Sequence, residues 1–135
     1  FYLPPERKTA QRLAEPGGNV DAERFFTEVL SPLSRGKTVR YRPYRCQSGT
    51  LGPELVVPPT PLAVVEGVYS LRPDLESYYH VKCFLEVPWS TRRARLLNRN
   101  GAEGLERFEK LWIPLEDAYF HTFPIRECCD VVLQG

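Results

Sequence analysis

The sequence predicts an α/β fold layered around a parallel sheet, and three observations lead there. Residues 62–66 open with four apolar side chains, two of them β-branched, directly after Pro58, Pro59 and Pro61. A short apolar run bounded by turn formers reads as a strand buried on both faces, as in a parallel sheet. Two further runs, 81–87 and 129–133, have the same character, and stretches with helical periodicity alternate with them. Strand and helix in alternation argue for α/β layering.

Taken in order, residues 1–3 read as the tail of a strand stopped by Pro4 and Pro5, and 6–14 as a charged helix ending at Pro16-Gly17-Gly18. Asn19 or Asp21 caps the next helix, where Phe25, Phe26, Val29, Leu30 and Leu33 form an apolar stripe over about 21–34. Pro32 weakens its last turn, and Arg35-Gly36 ends it. Val39 and Tyr41 alternate with Arg40 and Arg42, the pattern of a half-exposed strand. With a turn near Ser48-Gly49 and a return strand over 54–57, residues 37–57 read as a protruding hairpin-like segment. After the run at 62–66, residues 73–79 suit a short helix with Pro73 in its first turn. Ser90 or Thr91 caps a helix over 91–99, closed by Asn100-Gly101. A longer helix over 102–123 carries one broad apolar face, with Pro114 set to kink or divide it.

At 135 residues the chain suits one domain, 1–135, with a real core. Its net charge of +1 gives no global field for nucleic acid or membranes. Arginine outnumbers lysine fourteen to four, which favours anionic ligands recognised by guanidinium forks. Cys46, Cys83, Cys128 and Cys129 lack zinc spacing and fit a reducing cytoplasm, with Cys83 read as a small buried hydrophobe. No apolar stretch is long enough to span a membrane. The chain contains no methionine and opens on Phe1, which predicts a processed chain or a piece of a longer one.

Few patterns carry chemistry. Glu66 stands where the apolar run at 62–65 ends, the carboxyl end of a strand, where open α/β sheets bind ligands. Arg92, Arg95 and Arg99 fall on one helical face with Arg93 turned away, the spacing of a phosphate clamp or of a solvated basic face. Gly36-Lys37-Thr38 has the ending of a phosphate-binding loop, but Ser31 occupies the position of its first glycine, and a helix precedes where a strand is required. It reads as a helix-to-strand turn. The mix Arg40-Tyr41-Arg42-Pro43-Tyr44-Arg45 is too short and isolated to support binding of single-stranded nucleic acid. His121, at the end of the long helix, is expected to meet its carbonyls.

The order F-Y-L-P, N-V-D-A-E-R-F at 19–25, R-P-Y at 42–44, V-V-E-G-V-Y-S at 64–70, the arginine helix, and W-I-P-L-E-D-A-Y-F at 112–120 resembles the uridine kinase family of P-loop phosphotransferases. The resemblance covers nearly the whole chain. It implies a three-layer P-loop NTPase-like fold whose N-terminal strand and P-loop would lie ahead of Phe1. It further implies ATP-dependent phosphoryl transfer to a hydroxyl of a nucleoside or similar small molecule, with ATP and Mg2+ as cofactors and no nucleic-acid or membrane partner. Glu66 would help hold the magnesium. Arg92, Arg95 and Arg99 would belong to a lid helix, and Tyr2 and Tyr44 would line the acceptor pocket. No residue of this chain is assigned to binding ATP itself, and the chain alone is expected to be inactive. Uridine kinases proper read P-x-Y-D-F with a histidine soon after. Here Pro43-Tyr44 leads to Arg45-Cys46-Gln47 with no histidine nearby, a departure that argues against uridine or cytidine as the acceptor. A non-catalytic interaction or regulatory domain on the same scaffold is the alternative.

Overall fold

Three two-stranded sheets, two antiparallel and one parallel, are set among short helices in a mixed α/β arrangement. The computed structural model describes residues 1–135 and divides them into two compact units, Phe1–Tyr78 and Tyr79–Gly135.

In the first unit, a 3-10 turn at Pro5–Arg7 precedes helix α1 (Ala10–Ala14), whose N-cap Thr9 accepts a hydrogen bond from the Arg12 N–H at 3.1 Å. The expected helix over 6–14 is thus two short pieces, because Lys8 leaves helical backbone angles at φ −83° and ψ 64°. The Gly17-Gly18 turn returns the chain to Asp21, which caps helix α2 by accepting from the Arg24 N–H at 3.3 Å. Helix α2 runs over 22–34 and buries Ala22, Val29 and Leu30.

Pro32 sits inside α2, where its ring would strike the carbonyl of residue 28 in a regular helix. The helix widens just before it: Phe26–Leu30 is a π turn, and the Ser31 N–H bonds to the carbonyl of Phe26. The same solution recurs in the second unit. Phe108–Trp112 is a π turn, the Ile113 N–H bonds to the Phe108 carbonyl, and Pro114 follows. In both helices a phenylalanine stands six residues before the proline. The longer loop of the π turn absorbs a residue that would otherwise break the ladder.

Gly36 has a φ of 61° and turns the chain from α2 into β1 (Val39–Tyr41). Strands β2 (Tyr44–Arg45) and β3 (Thr50–Leu51) pair antiparallel, and β4 (Leu55–Val57) returns antiparallel to β1 with Val39 opposite Val57. Val39 is buried, whereas all of β4 is exposed.

The expected central strand at 62–66 is not a strand. Residues 62–67 lie outside any element, with Leu62 78% and Val64 81% exposed. The apolar run has no neighbouring strand to take its N–H and C=O groups, and a strand exists only through pairing. The expected strand at 1–3 reduces to an isolated bridge between Tyr2 and Val20. The helix expected at 73–79 is one 3-10 turn, Glu76–Tyr78, anchored by buried Leu75.

In the second unit, β5 (Cys83–Glu86) and β6 (Val131–Gln134) are parallel, with Cys83 opposite Val131 and Glu86 opposite Gln134. On one face Phe84 packs edge-on against Phe120, ring centres 5.6 Å apart. On the other, Leu85, Val131 and Leu133 are exposed, and so is Cys83, against the expectation that it is buried. Strand alternation puts Cys83 on that open face. Helix α3 (Trp89–Arg107) starts after Pro88 with no side-chain cap, so neither Ser90 nor Thr91 serves as one; the Pro88 carbonyl accepts from Arg92 N–H at 3.0 Å instead. Gly101, at φ 71° and ψ −179°, breaks it. One limb covers 89–100. The other covers 102–122, passing through the π turn into α4 (Ile113–Thr122). Leu105, Tyr119 and Ile125 are the buried centre of this unit. No helix is long and apolar enough to cross a membrane.

Candidate functional site

The sequence Arg92-Arg93-Ala94-Arg95 lies on the first limb, and its guanidiniums have different fates. Arg92 pairs with Glu116 of the second limb and lies over the Trp89 ring at 5.7 Å. Arg93, set off from the face of the other three by its spacing, pairs with Glu109 of the same second limb at 2.9 Å. The two acids are seven residues apart, on one face of the second limb, and a pair of arginines on adjacent positions straddles them. Arg99 lies over the Phe108 ring at 5.7 Å. Arg95 is exposed and has no ion pair or hydrogen bond. Three of the four cations therefore tie the two limbs together, and the fourth, Arg95, is unpaired.

Glu116 is half-buried, and burial pushes its carboxyl above the ordinary range although the Arg92 guanidinium opposes the shift. A carboxyl with a raised folded-state pKa contributes most below its unfolded value, and that contribution is lost as pH rises through the folded value. Glu116→Gln, which keeps the shape and removes the charge, is therefore expected to gain on the native protein as pH rises from 4 to 7. Urea unfolding of both proteins at the two pH values measures this. A variant that instead loses ground over the same range would mean that the Arg92 pair, not burial, governs this carboxyl.

In the first unit, Glu66 is exposed in the irregular stretch after the apolar run. No group of three or more His, Cys, Asp or Glu residues is placed to hold a metal ion. Magnesium commonly keeps several waters and binds one or two carboxylates together with substrate phosphates. Tyr2 is exposed beside Val20. Tyr44 is half-buried on β2, opposite Leu51. Beside it, Arg40 pairs with Glu54 at 2.8 Å, and Arg42 donates to the Gly52 carbonyl at 2.7 Å. Two arginines of the mix at 40–45 thus hold the hairpin together. At the end of the second limb, His121 Nδ1 meets the Asp117 carbonyl at 2.7 Å, the expected helix-end contact.

Sequence reasoning missed one cluster. Glu86, at the carboxyl end of β5, accepts from Arg126 at 3.2 Å and 3.4 Å and from Gln134 Nε2 at 2.8 Å. Those hydrogen bonds hold its carboxyl below the usual range. The only signal in the sequence was a carboxylate ending an apolar strand, the same signal that singled out Glu66. What distinguishes the two is pairing: Glu86 has a parallel neighbour whose last residue reaches it, and Glu66 has none.

No family model matches this chain, and no curated protein matches it.

Proposed function

We propose that this chain is part of an ATP-dependent phosphotransferase of the uridine kinase-like kind, built on a three-layer P-loop scaffold. It would transfer the γ-phosphoryl group to a hydroxyl of a nucleoside or similar small molecule. The observation that carries this reading is Arg95: the one unpaired guanidinium on the limb 89–100, which Arg92, Arg93 and Arg99 hold in place. Phosphoryl transfer asks mainly for positioned positive charge, and a stapled helix supplies it with little reorganisation. The motif order read from the sequence supports the same reading. Arg95 would meet the charge spreading over the transferring phosphoryl group. Within the first unit, taken by itself, the resemblance gives Glu66 the role of helping to hold magnesium, directly or through water, and Tyr2 and Tyr44 that of lining the acceptor pocket.

The cradle of backbone N–H groups that binds nucleotide phosphates is not supplied by Gly36-Lys37-Thr38, which leaves a helix and enters β1. The 135-residue chain is therefore expected to bind Mg-ATP weakly, with binding that fades as salt is added. A longer protein containing it is expected to convert ATP and a nucleoside to ADP and nucleoside monophosphate. Calorimetry on the chain and product analysis on the longer protein test the two halves. Tight, salt-resistant binding by the chain would refute the reading of the Gly36 turn. A longer protein that binds ATP but phosphorylates no hydroxyl compound would refute the proposed reaction.

A second reading, a non-catalytic interaction domain, draws on one observation. The open face of the parallel pair exposes Leu85, Val131 and Leu133 side by side.

A further inference from the structure

Residues 58–61 read Pro-Pro-Thr-Pro, and all four are exposed and outside any helix or strand. Proline fixes its own φ near −65° and drives the residue before it into extended backbone. Val57, Pro58 and Thr60 each precede a proline, so the segment leaving β4 is held close to polyproline II from both directions. We infer that Thr60 is a phosphorylation site for a proline-directed protein kinase, an enzyme that binds its acceptor segment extended and takes proline directly after the acceptor hydroxyl.

The chain contains two hydroxyl-proline dipeptides, and the fold separates them sharply. Ser31-Pro32 lies inside α2: the Ser31 N–H bonds to the Phe26 carbonyl, its Oγ accepts from Arg35, and its carbonyl accepts from Ser34 Oγ and Arg35 Nε, each at 3.0 Å. Offering Ser31 in extended form would require unwinding that helix. Thr60 needs no unwinding: it lies outside any helix or strand, and only the bend at Pro61 has to open. Its Oγ1 donates one exposed hydrogen bond, to the Leu62 carbonyl at 2.8 Å, and that bond is readily exchanged for one to the kinase.

In the reaction the Thr60 Oγ1 attacks the γ-phosphorus of ATP. An O–P bond forms, the bond to the β-phosphate oxygen breaks, and ADP leaves. The hydroxyl proton passes to a carboxylate of the kinase. The product carries about −1.5 to −2 charge, and Oγ1 no longer has a hydrogen to give the Leu62 carbonyl. The phosphate therefore releases the local turn at the head of the exposed apolar run.

The test is to incubate the folded 135-residue chain with a proline-directed kinase and ATP, then locate phosphate by peptide mass spectrometry. Phosphate is expected on Thr60 and not on Ser31. Thr60→Ala should abolish labelling, and Pro61→Ala, which restores an N–H where the kinase offers no partner, should slow it about tenfold or more. No labelling of Thr60 by a kinase active on a control peptide would overturn the inference. Labelling of Ser31 as fast as Thr60 would overturn it too, since the fold would then not be selecting the site.

Discussion

Arg95→Ala, made in a longer protein that contains this chain and transfers phosphate, is expected to slow the chemical step by about 10²–10³, the usual cost of one preorganised charge-stabilising group. Arg93→Ala is expected to leave that step within about threefold and to lower the melting temperature of the second unit instead. Losing an exposed pair of this kind typically costs about 1 kcal/mol or less. The two residues are two positions apart on one helix and equally charged, so a general loss of positive field cannot separate them. Their partners do: Arg93 is paired with Glu109, and Arg95 is unpaired. Single-turnover rates with saturating Mg-ATP are the measurement. Equal and small effects at both positions would mean that the basic face is only solvated.

The range of the forces involved decides which features were legible in the sequence and which were hidden. The two helical stripes were readable because amphipathic periodicity is a local property. The break at Gly101 and the capping by Asp21 are likewise written within a turn of where they act. Strands were not equally readable. Residues 62–66 and 83–86 have similar apolar character, yet only the second is a strand, because only it has a neighbour in register at 131–134. Cys83 was misjudged for the same reason: which face of a strand is covered depends on what packs there, not on the strand itself. The partners of Arg92 and Arg93 lie 24 and 16 residues away, beyond any helical spacing rule. The prolines mark an intermediate case. Pro32 and Pro114 signalled disruption, and the disruption took the form of a π turn that keeps the helix running.

Gly18→Ala is expected to be the most damaging small substitution in the first unit. A Cβ on Gly18 would sit 1.9 Å from the Arg12 carbonyl oxygen and 2.9 Å from that of Glu15, both backbone atoms that cannot swing away. The residue is also tied on both sides: its N–H donates to Glu15 O at 2.8 Å, and its carbonyl accepts from Arg12 Nε at 3.2 Å. Pushing it outward displaces Asn19 and Asp21. Asn19 accepts from the Leu3 N–H, and Asp21, only 2% exposed, pairs with Arg7 at 2.5 Å and caps α2. Steric overpacking costs about 1–3 kcal/mol, and loss of the cap adds about 1 kcal/mol. With about 4–8 °C per kcal/mol for a unit of this size, the melting temperature should fall by roughly 10 °C or more. Gly36→Ala is the matched control. Gly36 also bends the backbone, at φ 61°, but nothing lies within 4 Å of an added Cβ. Only the left-handed strain of about 1–2 kcal/mol applies there. Thermal melts followed by circular dichroism should therefore rank Gly18→Ala well below Gly36→Ala. The reverse order would mean that the Gly17-Gly18 turn yields to the added methyl and does not hold Asp21 at the head of α2.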